Sequence, residues 1–281
     1  MEVYSTLLKG LDITAKLPSI MCYAYQSKMH YFNRESLVIH YPMKSYSIAE
    51  NILYMLRENR QFSAKEAALL DTILVLQADH GGGNNSTFTN VVVSSTGTDI
   101  YSTIAASIGS LKGPKHGGAN ISVTNMMQAV KDEIGITTDE KKIRNVVNRI
   151  LDKDFYDCSG HAVYTITDPR AELLREYCET VAKDKGRLDE YHFYEEFEKT
   201  VKRVVFERKG TTISSNVDLY SGFAYNMLGI PEDLYTPLFV VARNIGWVAH
   251  NVENKLYDGR IMRPATKYVG ELKEYTPFKD R

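Results

Sequence analysis

The sequence contains few cysteines and no long run of apolar residues. Among its 281 residues are three cysteines, Cys22, Cys158 and Cys178, and no two of them form a CxxC pair. So sparse a set excludes a disulfide framework and a zinc finger, and a reducing cytoplasm is the expected location. No apolar run reaches the roughly 18 residues that a membrane-spanning helix needs. The first residues also lack the basic and apolar regions of a signal peptide, so we expect a cytoplasmic protein without a membrane partner.

An excess of charge of either sign is also missing. The chain has 34 Lys and Arg residues against 35 Asp and Glu residues, which gives a formal net charge of -1. Proteins dedicated to nucleic acid usually carry a strong basic excess, so no nucleic-acid partner is expected. Hydrophobic residues make up 43% of the sequence and charged residues 25%. These proportions are typical of a globular protein and exclude general disorder.

Helix start signals recur along the chain. Ser47 with Glu50, and Ser63 with Glu66, each form the S-x-x-E pattern of a capping box. The residues from 67 to 78 are almost entirely apolar. A helix that is apolar on nearly all sides belongs in the interior of a protein, so this segment predicts a buried helix.

The buried helix is expected to end at His80, where the glycine run 81–83 would supply a left-handed cap. Only residues 88–93 have a composition that resembles a strand, and that run is short and lacks an obvious pairing partner. Strands do not alternate with helices along the chain, which argues against a Rossmann fold or a barrel. We therefore predict an all-α fold.

Four segments combine glycine, a helix end and an ionisable side chain. The ionisable residues are His80, His116, His161 and Asp218. At the carbonyl end of a helix, His80 can be stabilised in its protonated form and bind a carboxylate, or it can only cap the helix. Asp218 can be a partly desolvated base, or it can be a helix N-cap. The segments are A-D-H-G-G-G-N-N-S-T-F at 78–88, G-P-K-H-G-G-A-N at 113–120, S-G-H-A-V-Y with D-P-R at 159–170, and N-V-D-L-Y-S-G at 216–222.

Three histidines and an aspartate could also suggest a metal site. The sequence has neither H-E-x-x-H nor a close His/Cys pair, which argues against a metal but leaves ligands that are distant in sequence open. The segment 113–120 lacks the G-K-[ST] ending of a phosphate-binding P-loop, and no G-x-S-x-G of a serine hydrolase occurs. We expect a site without a metal.

The order of these segments resembles the citrate synthase family. Six strings carry the resemblance, which extends over about Leu17 to Gly270: A-D-H…N-x-S-T-F, G-P-K-H-G-G-A-N, G-H-A-V-Y…D-P-R, N-V-D-L-Y-S-G, A-R-N-I-G-W-V-A-H and R-P…Y-x-G. The resemblance implies an all-helical homodimer. Each chain would have a large domain, here 1–118 and 223–281, and an inserted small domain, here 119–222. Family chains are longer, so the N-terminal helices of the large domain are expected to be absent.

The family reaction belongs to the tricarboxylic acid cycle. It joins the methyl carbon of acetyl-CoA to the keto carbon of oxaloacetate and hydrolyses the thioester to give citrate and CoA. By this resemblance, Asp218 removes the methyl proton, His116 donates a hydrogen bond to the thioester oxygen, and His161 polarises the oxaloacetate carbonyl. A carboxylate can remove so weakly acidic a proton only if the enolate oxygen is hydrogen-bonded in a dry site. The CoA thioester is a substrate, so no cofactor is implied.

Oxaloacetate carries two carboxylates, and arginine binds a carboxylate through two parallel hydrogen bonds. The resemblance assigns His80, Arg170, Arg243 and Arg263 to substrate binding. In the family, the arginine at the position of Arg263 comes from the other subunit. The site of each chain would then be complete only in the dimer.

The sequence departs from the family pattern in three places. Residues 156–160 read Y-D-C-S-G where G-x-G-H is common, Thr165 and Ile166 stand where some members have basic residues that meet CoA, and R-P-A-T replaces R-P-R-Q.

The first alternative to a citrate synthase is a 2-methylcitrate synthase that uses propionyl-CoA, because one methylene provides only about 1–3 kcal/mol of discrimination between the two thioesters. A non-catalytic, truncated homologue is the second.

Overall fold

A computed structural model describes residues 2–152, 168–214, 217–257 and 259–281. Within these ranges the chain forms eleven α-helices, two short 3₁₀ helices at Glu232–Leu234 and Phe278–Asp280, and no strand. The all-α prediction is confirmed. The α-helices are α1 (Glu2–Asn33), α2 (Ile48–Leu56), α3 (Ala64–Leu76), α4 (Asn85–Ser94), α5 (Ile100–Leu111), α6 (Ala119–Ile134), α7 (Glu140–Asp152), α8 (Pro169–Asp184), α9 (Leu188–Lys209), α10 (Asp218–Met227) and α11 (Tyr235–Leu256).

Both predicted capping boxes are present at helix N-termini. At the start of α2, the Ser47 hydroxyl accepts a hydrogen bond from the backbone N–H of Glu50 at 3.2 Å, and the Ser47 N–H donates to the Glu50 carboxylate at 2.7 Å. Ser63 and Glu66 make the same pair at the start of α3, at 3.2 and 2.8 Å. Each box satisfies two backbone N–H groups that the first helical turn leaves without a partner.

The prediction for the end of α3 was wrong. This helix ends at Leu76, before His80, and none of the glycines 81–83 has a positive φ. The backbone carbonyl of Gln77 instead accepts a hydrogen bond from Nε of Arg243 in α11 at 2.7 Å. A side chain of a neighbouring helix therefore satisfies a carbonyl at the end of α3 without a glycine in the left-handed region.

The strand-like residues 88–93 lie within α4. The side chain of Asn84 caps this helix by accepting a hydrogen bond from the backbone N–H of Thr87 at 3.4 Å. Ser86, Thr87 and Asn90 are fully buried on one helical face. The cap and the buried face outweigh the strand preference of the Val91–Val93 run, which depends strongly on context.

Helix α11 is central to the packing of the molecule. It contacts α1, α3, α4 and α5, and its residues belong to both hydrophobic clusters of the core. The larger cluster joins α11 to α1–α3 and α6–α10, and the smaller one joins it to α5 around Trp247. The side chains of α11 are therefore held in place from several sides. The division into domains 1–118 with 223–281, and 119–222, stays a prediction.

The C-terminal segment 259–281 differs from the rest of the described chain. Every residue of it is exposed, and its only regular element is the short 3₁₀ helix. Its exposed apolar side chains include Val269, Leu272 and Phe278. None of the helices described is both long and apolar enough to cross a membrane.

Candidate active site

A cavity of about 610 Å³ contains most of the predicted site. Five of the seven predicted residues line it: His80, His116, Arg170, Asp218 and Arg243. They follow α3, precede α6, begin α8, begin α10 and lie inside α11, so folding brings together residues that are far apart in sequence. His116 and Asp218, the predicted hydrogen-bond donor and base, thus share one cavity.

The other two predicted residues are His161 and Arg263. His161 lies outside the described residues, so its predicted position beside His116 and Asp218 stays a prediction. Arg263 lies in the exposed segment 259–281 and does not line the cavity. The described part of a single chain therefore provides two of the three predicted arginines.

Arg243 is a buried cation at the wall of the cavity. Only 1% of its surface is exposed, and its guanidinium lies 4.6 Å from the centre of the Phe239 ring. Burial lowers the pKa of Arg243 to about 10, with the charge of Arg170 contributing, so the group is charged at neutral pH. Its Nη1 has no hydrogen-bond partner among the described residues. A buried charged donor without a partner is unfavourable, and an anion in the cavity would satisfy it.

Arg170 brings a second cation to the same cavity. Asp168 caps α8, and its carboxylate accepts hydrogen bonds from Nε and Nη2 of Arg170, the latter at 2.8 Å. Burial raises the pKa of Asp168, but the hydrogen bonds from Arg170 outweigh burial and lower it overall. The carboxylate therefore stays ionised and orients the guanidinium. Together, Arg170 and Arg243 favour a ligand that carries negative charge.

The loop between α5 and α6 holds His116 tightly. The N–H of Gly117 donates to the carbonyl of Leu111 at 2.8 Å, and the hydroxyl of Thr236 donates to the carbonyl of Gly117 at 2.9 Å. A Cβ on Gly117 would lie 2.3 Å from that Leu111 oxygen, so only glycine fits. This close approach of the backbone fixes the position of the neighbouring imidazole.

The imidazole of His116 contacts the buried hydroxyl of Ser86. Nε2 of His116 lies 3.0 Å from Oγ of Ser86, and that Oγ lies 2.8 Å from Oδ1 of Asn84. Ser86 has one hydroxyl proton and two acceptors for it. If Ser86 donates to Asn84, the proton of a neutral His116 is on Nε2. If Ser86 donates to His116, that proton is on Nδ1. The direction in which Ser86 donates its proton therefore decides the tautomer of His116, and it depends on whether Asn84, which caps α4, accepts that proton.

Asp218 is the first residue of α10. Val217 occupies the N-cap position and makes no side-chain cap, so the alternative role of Asp218 as an N-cap is not observed. Asn120, at the start of α6, donates from Nδ2 to Oγ of Ser221 at 2.6 Å and approaches the backbone carbonyl of Asp218 at 3.5 Å. This contact joins the helix that follows His116 to the helix that begins with Asp218.

Gln77 and Tyr225 are among the cavity residues that the sequence analysis did not predict. Gln77 and Tyr225 both line the cavity, and the Tyr225 hydroxyl donates to Oε1 of Gln77 at 3.4 Å. Burial raises the pKa of Tyr225, and the negative charge of Asp218 adds to the effect, so this phenol stays protonated. Gln77 is one of few polar residues in the apolar run 67–78, and that was a usable signal. Tyr225 lies in an apolar run and resembles a core residue.

The described residues contain no group of three or more His, Cys, Asp or Glu side chains that could hold a metal ion. The groups that line the cavity are instead suited to a negatively charged organic ligand. Two arginines can bind carboxylates, and a carboxylate and an imidazole can move or share a proton.

The described residues form a helical protein with a cavity whose side chains suit an anionic ligand and acid–base chemistry. The family model described as citrate synthase, C-terminal domain, matches residues 3–265, and the chain belongs to the citrate synthase family. It is 41% identical over 242 residues to the citrate synthase of Deinococcus radiodurans, which covers 85% of this chain and 61% of that relative. It is 34% identical over 258 residues to the 2-methylcitrate synthase of Shewanella oneidensis, which covers 92% of this chain and 64% of that relative. The chain thus spans less than two thirds of the length of either relative.

Solved structures show the same similarity. The crystal structure of citrate synthase from Thermotoga maritima matches with a TM-score of 0.76 and 31% identity, over 97% of this chain and 70% of that chain. Citrate synthase from Thermoplasma acidophilum, solved as a ternary complex with carboxymethyl coenzyme A and oxaloacetate, matches with a TM-score of 0.76 and 28% identity, over 97% of this chain and 69% of that chain.

Proposed function

We propose that this chain is a citrate synthase, which condenses acetyl-CoA with oxaloacetate and hydrolyses the thioester to give citrate and CoA. The observation that carries the proposal is Nη1 of Arg243, a buried charged donor without a partner among the described residues, at the wall of the cavity that Asp218 also lines. Oxaloacetate has two carboxylates, and Arg243, Arg170 and His80 can bind them. A cavity that binds this anion beside a base suits the family reaction.

The chemistry follows from the two groups that share the cavity with the arginines. Asp218 takes a proton from the methyl carbon of acetyl-CoA, while His116 donates a hydrogen bond to the thioester oxygen, where negative charge develops. The resulting enol carbon attacks the keto carbon of oxaloacetate, whose oxygen takes up a proton, and His161 is the proposed donor. Water then cleaves the thioester and releases CoA with a free thiol.

The experiment measures thiol release from acetyl-CoA by the purified chain. Release is expected only when oxaloacetate is present, and oxaloacetate is expected to raise the unfolding temperature because it binds the folded state. Asp218→Asn should abolish release and keep the rise in unfolding temperature. If that rise also disappears, Asp218 is structural. A wild-type chain that binds oxaloacetate but releases no thiol would contradict the enzyme and favour a non-catalytic homologue.

A 2-methylcitrate synthase is the second candidate, since a relative of that name is 34% identical over 258 residues. The chemistry is the same, with propionyl-CoA as the thioester. The walls of the cavity decide between a methyl and an ethyl group, and the difference is worth only about 1–3 kcal/mol. The ratio of kcat/KM for the two thioesters, measured on one preparation, distinguishes the candidates.

A homodimer in which Arg263 reaches the site of a second copy is a further part of this proposal. The support is that Arg263 lies in the exposed segment 259–281, away from the cavity of its own chain. An Asp218→Asn chain and an Arg263→Ala chain should each be inactive alone. After unfolding and refolding together they should regain about a quarter of the wild-type activity, because half of the dimers are mixed and each has one intact site. If the refolded mixture forms dimers but regains no activity, Arg263 does not reach the site of the other subunit.

A cytoplasmic location is also part of this proposal. Its support is that Cys22 and Cys178 are free thiols buried in the core, as suits a protein kept in a reducing environment.

A further inference from the structure

One face of α11 hydrogen-bonds the segment that carries His80. Besides the contact of Arg243 with Gln77, the backbone N–H of Gly246 donates to the carbonyl of Ala78 at 3.1 Å. One turn further, Nε2 of His250 lies 3.0 Å from Oδ1 of Asp79 and 3.3 Å from the carbonyl oxygen of His80. Positions 243, 246 and 250 lie on the same side of a helix, so three successive turns of α11 bind residues 77–80.

The chemistry of His250 follows from its neighbours. The Asp79 carboxylate and the His80 carbonyl are both acceptors, so Nε2 of His250 carries a proton and donates it to them. On the other side of the ring, Nδ1 lies 3.8 Å from a carboxylate oxygen of Glu253. A neutral imidazole with its proton on Nε2 is therefore sufficient for the contact with the His80 segment.

The residues after His80 give this segment little support of their own. The glycines 81–83 have no atom within 4 Å of the place where a Cβ would lie, so they face open space among the described residues. His80 itself is bonded through Nδ1 to the carbonyl of Gly81 at 3.2 Å, within the same segment. One further bond, from the N–H of Asn84 to the Gly81 carbonyl at 3.0 Å, also stays within the turn. At the end of the segment, at Asp79 and His80, the contact from α11 is made by His250.

The geometry points to His250 as a positioning residue that fixes the His80 segment at the cavity. Arg243 fixes the beginning of the segment, Gly246 its middle and His250 its end. The role in substrate binding rests on the proposed function, in which His80 contacts oxaloacetate. His250 itself does not line the cavity. Loss of its donor should therefore change where His80 lies and leave the remaining cavity residues in place.

The test compares three variants of the full chain. His250→Phe keeps an aromatic ring and removes the donor. His250→Gln places an amide N–H near the position of Nε2 and should restore the contact. Glu253→Gln, one turn further along α11, is the matched control, because it removes the charge beside Nδ1 and leaves the Nε2 donor unchanged.

Two measurements are made on each variant. Hydrogen–deuterium exchange of a peptide that covers residues 77–84 should be at least several-fold faster in His250→Phe than in wild type, and near wild type in His250→Gln and Glu253→Gln. In the condensation assay, the KM for oxaloacetate should rise about tenfold in His250→Phe, with the KM for acetyl-CoA within about twofold, and His250→Gln should recover most of the loss.

The outcomes separate the two proposals. Unchanged exchange and unchanged KM in His250→Phe would overturn the positioning role, even if wild type is an active citrate synthase. An equal loss in His250→Gln, or equal changes in both KM values, would overturn it as well, because a general structural defect would be the cause. A wild-type chain that neither binds oxaloacetate nor releases thiol refutes the proposed function. The hydrogen–deuterium exchange data by themselves then decide whether His250 positions the His80 segment.

Discussion

Nε2 of His116 lies 3.0 Å from the hydroxyl oxygen of Ser86. Ser86 is fully buried in the first turn of α4, whereas His116 precedes α6, so the contact joins the start of α4 to the loop before α6. In the proposed mechanism the protonation of His116 decides whether it can stabilise the enolate oxygen. The position of one serine proton therefore influences the proposed chemistry.

Ser86→Ala tests this contact. The variant removes the hydroxyl that orients His116, and kcat for condensation should fall by about tenfold or more, because a general acid or oxyanion donor typically contributes at least that much. The KM for oxaloacetate should change little. Thr89→Ala is the matched control, since this hydroxyl of the same helix donates to the carbonyl of Asn85 within its own helix. A kcat equal to that of the control would show that Ser86 has no part in catalysis.

Arg243→Lys tests the buried guanidinium. Lysine keeps a positive charge, but it cannot both donate to the Gln77 carbonyl and offer two parallel hydrogen bonds to a carboxylate. The KM for oxaloacetate should rise by about 10- to 100-fold, and the oxaloacetate-induced rise in unfolding temperature should shrink accordingly. Arg144→Lys, at an exposed ion pair with Glu207, should leave both unchanged. A normal response of Arg243→Lys to oxaloacetate would refute carboxylate binding at this position.

Glu66 should make stability depend on pH. Burial alone raises its pKa, but hydrogen bonds from Arg57 at 2.8 Å, Lys185 at 2.7 Å and the Ser63 N–H outweigh burial and lower the pKa to about 2. Its ordinary value is 4.5. Because the folded-state pKa is the lower one, the stabilisation of about 3 kcal/mol is complete above pH 4.5 and is lost as pH falls towards 2.

Denaturant unfolding of Glu66→Gln measures that contribution. The variant should be less stable than wild type by about 3 kcal/mol at pH 7, and the difference should shrink below about pH 4.5. Glu50→Gln is the control, because Glu50 occupies the same position in the capping box of α2. A difference that does not depend on pH would mean that the ion pairs of Glu66 contribute no net stability.

Gly222→Ala tests the close packing of α6 on α10. A Cβ at this position would lie 2.4 Å from Oγ1 of Thr124 and 3.2 Å from Oδ1 of Asn120. The two helices must then separate, which should cost about 1–3 kcal/mol of stability and lower kcat, because Asp218 begins α10 and His116 precedes α6. Thr124→Ala in the same chain removes the closest atom and should restore much of both. A double variant no better than Gly222→Ala would refute this contact as the cause.

Short-range sequence signals predicted the starts of helices correctly, but they failed where contacts with other helices decide the structure. The pairs Ser47–Glu50 and Ser63–Glu66 act within one helical turn, so the sequence contains all the information that they need. Residues 88–93 were misleading because their composition favours a strand, whereas the Asn84 cap and the buried face of α4 determine the helix. The end of α3 was misleading for the same kind of reason, because the donor to the Gln77 carbonyl comes from α11, more than 150 residues later in the sequence.

The sequence by itself determined the helical class and the starts of α2 and α3, and it predicted His80, His116, Arg170, Asp218 and Arg243 as site residues. Only the tertiary structure decided that these five line one cavity, that Gln77 and Tyr225 join them, and that Ser86 bonds His116. The physical reason is the separation in sequence of the residues that interact. Helix capping and apolar periodicity act between residues a few positions apart, whereas a buried cation, a shared hydroxyl proton and a close glycine contact exist only once distant segments pack together.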